Sequence, residues 1–123
     1  MNKVFLTGNL TRDPEVRNTS TGTKVLVFSV AVTERVKNGD TWMDRANFVD
    51  CTGFGNRVDY WSRNLAKGTK VCVMGRLHWT QWEAKDGTTR SKLEVIVEEL
   101  ESMPKKTAPV EVVEAAYEED IPF

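Results

Sequence analysis

The chain has 123 residues, 40% apolar and 28% charged, which is room for one soluble globular domain and a short appendage. A domain of roughly 100 residues buries enough apolar surface to fold without disulfide or metal staples. Two cysteines, a single histidine and no close grouping of Cys, His and carboxylate argue against a zinc site, a secreted disulfide framework and a bound cofactor.

The net charge of −1 conceals an asymmetry. Residues 1–103 hold 15 Lys and Arg against 13 Asp and Glu, whereas residues 104–123 hold 2 against 5. A mildly basic body with an acidic tail points to nucleic acid at the body and a different partner at the tail.

Apolar residues alternate with a period of two over most of the first hundred positions, the signature of strands. Val4, Leu6, Gly8 and Leu10 share one face of a first strand, which Arg12-Asp13-Pro14-Glu15 breaks. The turn region Asn18–Gly22 leads into a long run over Lys24–Val36, with Leu26, Phe28, Val30 and Val32 on one side. Asn38-Gly39-Asp40 is a strong hairpin signal, and Ala46–Phe54 makes the third strand. The spacing then changes: Val58, Trp61 and Leu65 predict a short helix within Asn56–Leu65, closed by Lys67-Gly68 in the manner of a C-cap. Val71, Val73, Gly75 and Leu77 line a fourth strand; Lys85-Asp86-Gly87 turns into a fifth, in which Leu93, Val95 and Val97 share a face.

Three strands, one helix and two strands predict a mainly β fold, a five-stranded OB-fold Greek-key barrel over residues 1–103. A small SH3-like barrel is the alternative, but it normally lacks a helix at that point. After Met103 the texture shifts. Two prolines in Pro104–Pro109 and an excess of acids predict a disordered acidic tail. It divides into a short linker, 104–117, and an acidic tip, 118–123. The first residues alternate as a strand and form no signal-peptide core, and no run approaches the roughly 20 apolar residues that span a bilayer. A cytoplasmic protein with no membrane partner is therefore expected.

Nothing in the sequence assembles an active site, so an enzyme is not expected. His78 stands beside Trp79 in a strand, a place for a solvent-facing or stacking ring. Cys51 and Cys72 sit in apolar runs as buried, reduced thiols, although a bridge between adjacent strands stays open. The stronger signal is aromatic residues interleaved with cations. Unpaired bases need planar side chains to stack on and a basic track for their phosphates, and each stacked base is worth roughly 1–3 kcal/mol. Trp79 and Trp82 flank the last turn with Arg76, Lys85, Arg90 and Lys92 nearby, and Trp42 stands among Arg35, Lys37 and Arg45. Phe48, on an otherwise polar face with Asp50 and Thr52, and Trp82, among Gln81, Glu83 and Lys85, read as exposed platforms. Phe54, Trp79 and Trp42 fit platform or core equally. Phe5, Phe28 and Trp61 read as core or interface. The tail ends Tyr117-Glu-Glu-Asp-Ile-Pro-Phe123, and its apolar, carboxylate-bearing end suits a partner with an apolar slot and a basic rim.

These residues together resemble the bacterial single-stranded DNA-binding protein family. The resemblance rests on Asn2–Leu10 with Asp13-Pro14-Glu15, the Phe28–Ala31 strand, Phe54-Gly55, Leu65 with Lys67-Gly68, Val71–Leu77, Trp82, Gly87, Leu93–Val97 and the tip Glu118–Phe123. It implies a homotetramer that wraps single-stranded DNA without sequence preference. It also implies a nucleoid-associated protein whose tip recruits replication, recombination and repair proteins. Carried over by position, Phe48, Phe54 and Trp82 match DNA-contacting aromatics, Lys3, Lys67 and Arg90 match basic positions, and Asp120, Ile121, Pro122 and Phe123 match the partner-binding tip. The chain departs from the pattern at Val36, where some members carry a stacking Trp that Trp42 replaces from across the turn. Asp50 takes a place that can be basic, His78 and Thr80 replace cations, and Val49 replaces a histidine. The linker, at about 14 residues, reaches only about 20 Å as a flexible coil, so weak linker-driven cooperativity is expected. An OB-fold scaffold with little DNA affinity and an RNA-binding OB-fold are the rival readings.

Overall fold

The computed structural model describes residues 1–103. The expected linker (104–117) and tip (118–123), with Asp120, Ile121, Pro122 and Phe123, lie outside the described residues.

The strands are β1 (Val4–Leu10), β2 (Glu15–Asn18), β3 (Lys24–Asn38), β4 (Thr41–Phe54), β5 (Lys70–Glu83) and β6 (Thr89–Met103), with the helix α1 (Val58–Ser62) between β4 and β5. They form one sheet in the order β1-β5-β6-β4-β3-β2, and a further pairing of β1 with β3 closes it into a barrel. Five strands make that barrel, as the sequence pattern predicts. The sixth, β2, is a four-residue addition on the edge of β3, paired from Glu15↔Val27 to Asn18↔Lys24. All four of its residues are exposed, so it carries no alternation that a sequence pattern could reveal.

The inward set is largely the predicted one. Leu10, Leu26, Phe28, Val30, Cys51, Val71, Val73, Val95, Val97 and Leu100 fill the barrel, and Val58 and Trp61 of α1 plug one end. The helix is shorter than the predicted window, and Leu65 packs against the core from the loop beyond it. Leu100 reaches the core through a bulge. Met74 pairs with Glu99 but Gly75 pairs with Val97, which leaves Glu98 unopposed and shifts the alternation of β6 by one residue. Gly75 makes the crossing possible, because a Cβ there would lie 2.1 Å from the Ile96 carbonyl oxygen.

Two hairpins extend beyond the barrel as arms. In one, β3 and β4 pair without interruption from Val25↔Phe54 to Asn38↔Thr41. Gly39, with φ of 66°, takes the first central position of the two-residue turn between them. The other pairs β5 with β6 as far as Glu83↔Thr89. Both arms run several residues past the limits set by the apolar alternation, because antiparallel ladders continue wherever backbone groups meet, whatever the side chains.

Candidate nucleic-acid interface

Strand parity assigns each candidate side chain to a face. On β4, Val49, Cys51 and Gly53 point toward the core, so Trp42, Phe48, Asp50, Thr52 and Phe54 point outward. On β5, inward Val71, Val73 and Gly75 leave Arg76, His78, Thr80 and Trp82 outside. On β6 the outward residues opposite these are Ile96, Glu94, Lys92 and Arg90, in the pairs Arg76↔Ile96, His78↔Glu94, Thr80↔Lys92 and Trp82↔Arg90.

The parallel pairing Cys51↔Val95 and Thr52↔Ile96 joins the two rows. Side chains then cross the seam. Thr52 Oγ1 donates to Glu94 Oε2 at 3.1 Å, and Lys92 Nζ lies 3.9 Å from Asp50 Oδ2 and 3.4 Å from Glu94 Oε2. One continuous outer face of β4, β6 and β5 therefore carries Phe48, Phe54, Trp82, Arg76 and Arg90, with Trp42 further along the same face of β4. Lys37 lies opposite Trp42 with its ammonium 6.0 Å from the ring centroid.

These rings are open. Phe48 is 72% exposed, Phe54 48% and Trp82 46%. Burying a side chain of this kind stabilises a fold by about 1.5–3 kcal/mol, and here that contribution is left unused in the free chain. Cations share this face. Arg76 forms no ion pair among the described residues. Arg90 sits 3.8 Å from Asp86, whose carboxyl is held below its ordinary value by hydrogen bonds from the Thr88 hydroxyl and backbone N–H. Beneath this face burial pushes the Cys51 thiol up to about 12, with the negative charge of Asp50 and Glu94 adding to it.

Other predicted residues fall elsewhere. Trp79 and Trp82 are three apart, so they face opposite ways: Trp79 pairs with Leu93 on the other face of the arm, beside exposed Leu77. Lys3 precedes β1 and bonds both Glu98 oxygens at 2.9 Å. Lys67 lies in the loop between α1 and β5, its backbone N–H bonded to Asp13 Oδ1 at 2.8 Å, at the other end of β5 from Trp82. Of the three aromatics expected in the core or at an interface, Phe28 and Trp61 are core and Phe5 stands exposed on the outer side of β1 opposite Met74. Cys51 is buried as expected, whereas Cys72 is only half-buried because its parity on β5 turns it to the outer side; β6 lies between their strands, and the two thiols are free. Thr52 and Glu94, which stitch the face together, escaped sequence reasoning. Their only signal is a parallel contact between strands some forty residues apart, and no local pattern encodes it.

A closed Greek-key barrel of five strands, one short helix between its third and fourth barrel strands, and an outer face of aromatics and cations define an OB-fold of the oligonucleotide-binding kind. The sequence pattern of the single-strand binding protein family matches residues 1–103. The chain belongs to that family. It is 42% identical over 95 residues to the single-stranded DNA-binding protein of Treponema pallidum, covering 77% of this chain and 53% of that one. The chain thus spans about half the length of that relative. With the single-stranded DNA-binding protein of Borreliella burgdorferi it shares 30% identity over 146 aligned positions, covering all of this chain and 98% of the other. Among solved structures, a Plasmodium falciparum SSB in complex with single-stranded DNA superposes with a TM-score of 0.77 at 25% identity, covering 85% of this chain and 96% of that one. A deletion variant of the single-stranded DNA binding protein from Thermus aquaticus gives 0.76 at 28% identity, covering 86% and 52%.

Proposed function

We propose that this chain binds single-stranded DNA without sequence preference, covering and protecting it during replication, recombination and repair, and that it performs no catalysis. The observation that carries this reading is the set of exposed rings Phe48, Phe54 and Trp82 on one outer face that also carries Arg76 and Arg90. Rings accept any base, because every base offers a π-face, and guanidinium groups neutralise phosphates without reading sequence. Duplex DNA hides its bases and cannot use the platforms. Phe48 and Phe54 are six residues apart, a span of roughly 20 Å along β4, which fits an extended strand lying across the barrel.

The same reading assigns the remaining parts. Lys67, and Lys3 once a phosphate displaces Glu98, extend the basic track beyond this face, and Trp42 with Lys37 extends the platform along the first arm. Exposed Phe5, and Leu77, Trp79 and Leu93 on the reverse of the second arm, are apolar surfaces suited to contacts between copies, in keeping with a homotetramer. The tip, through Asp120, Ile121, Pro122 and Phe123, docks on replication, recombination and repair proteins in the cytoplasm, at the nucleoid.

Titration of poly-dT, duplex DNA and RNA, followed by tryptophan quenching at several salt concentrations, tests the reading. Strong quenching by poly-dT, near-stoichiometric at low salt, is expected; equal binding to duplex overturns it. Deleting Ile121–Phe123 is expected to abolish partner pull-down and to leave DNA affinity nearly intact. Sedimentation of the purified chain tests the tetramer.

A further inference from the structure

The outer face carries acid in the middle of its basic track. Asp50 lies between Phe48 and Thr52 on β4, and Glu94 lies beside it across the parallel seam. Lys92, which the parallel register continued back from Cys51↔Val95 sets level with Phe48, is held by both, at 3.9 Å from Asp50 and 3.4 Å from Glu94. The two carboxylates are not equivalent. Glu94 has a side chain only 15% exposed and accepts a hydrogen bond from Thr52 Oγ1, whereas Asp50 is about half exposed at the longer distance.

We infer that Asp50 sets the strength of single-strand binding by competing with the nucleic-acid backbone for Lys92. The inference rests on the function proposed above. Two carboxylates on one ammonium leave the trio with a net charge of −1, so a phosphate passing Phe48 meets repulsion and no free cation. To use Lys92 it must displace a carboxylate, and Asp50, the more exposed and more distant of the two, is the one that yields. The Lys92–Asp50 pair is exposed, and exposed ion pairs contribute only about 0–1 kcal/mol to folding, so Asp50 has little value as a structural brace. Its position has a direct electrostatic consequence for a polyanion. Arg76, two pairs away and without an ion pair among the described residues, shows what an uncompeted cation on this face looks like.

The test compares Asp50→Asn with Glu101→Gln, which removes the same formal charge from β6 at a position seven residues, or roughly 20 Å, beyond Glu94. Poly-dT affinity is measured by tryptophan quenching over a range of salt. Asp50→Asn is expected to bind about two- to fivefold more tightly at low salt. Its log–log salt dependence should steepen by about 0.7, the increment for one more phosphate neutralised on a single strand. The advantage should shrink as salt rises. Unchanged or weaker binding by Asp50→Asn overturns the inference, as does an equal gain in Glu101→Gln, which would reduce the effect to net charge. Those results leave the wild-type preference for single strands standing. Loss of that preference in the wild type is the separate outcome that overturns the proposed function, and this inference with it.

Discussion

Replacing Trp82 with alanine and, separately, Trp79 with alanine divides the second arm into its two faces. The residues belong to one strand and are exposed to a similar degree, so substitution perturbs folding to a similar, small extent. They differ in direction. Trp82 stands opposite Arg90 on the face that continues to Arg76, Thr52 and Phe54, whereas Trp79 pairs with Leu93 on the reverse. If a base stacks on Trp82, its loss removes about 1–3 kcal/mol per site. That is a weakening of about 5- to 150-fold, at 1.4 kcal/mol per factor of ten. A single strand lying on β4, β6 and β5 does not touch Trp79, so a Trp79→Ala chain that sediments like wild type should bind poly-dT within about twofold of it, the range left by a surface change worth about ±0.5 kcal/mol.

The assay needs a signal that survives loss of a tryptophan. Fluorescence anisotropy of labelled oligo-dT serves, with thermal melting to confirm that each variant is folded and sedimentation to confirm that its assembly is unchanged. Losing as much affinity in Trp79→Ala as in Trp82→Ala would refute the face assignment. A folded Trp82→Ala that binds like wild type would refute the stacking argument itself.

Other expectations concern the fold beneath the site. Gly75→Ala places a methyl 2.1 Å from the Ile96 carbonyl and 2.9 Å from Val95 Cγ1 at the bulge, and should destabilise by about 1–3 kcal/mol. In a domain of this size each kcal/mol lowers Tm by about 4–8 °C, so an unchanged melting point would show that the bulge adapts freely. Under native conditions a thiol reagent should modify Cys72 and spare Cys51 until urea unfolds the chain; equal rates at both sites would contradict the buried position of Cys51. Because the Cys51 thiol is pushed from an ordinary 9.0 to about 12, chiefly by burial, it stays neutral in the folded chain while the unfolded chain ionises. Its contribution to stability is therefore complete below pH 9 and declines between pH 9 and 12, by at most about 1.4 kcal/mol per pH unit. Comparing the pH dependence of urea midpoints for wild type and Cys51→Ala isolates this slope, and identical slopes would refute it.

Much of this was legible along the chain. Alternation at Val4–Leu10, Leu26–Val32 and Val71–Gly75 identified strands and their buried faces, because a strand's side chains obey a period of two whatever its partners. Val58 and Trp61 showed where that period gives way to a helical one. The exposure of Phe48 and Trp82 followed from polar neighbours on their own strands. Parity also separates Trp79 from Trp82, a signal present in the sequence once one continuous strand is granted. Other features left no local trace. Strand β2 has no buried residue, and Leu100 enters the core only because Glu98 bulges out of register. Phe5 reads as core or interface by its chemistry, and parity against Val4, Leu6, Gly8 and Leu10 turns it outward.

The sequence by itself determined the succession of the five barrel strands and the helix, most of the inward set of residues and the ring-bearing character of the surface, since these depend on neighbours within a few positions. Tertiary structure alone decided how the rings and charges combine. The closure of β4 on β6 brings Asp50 and Thr52 to Lys92 and Glu94, and makes one face out of residues from three strands. That contact spans some forty residues of chain. Its register follows from the closure of the whole barrel, which no short stretch of sequence specifies.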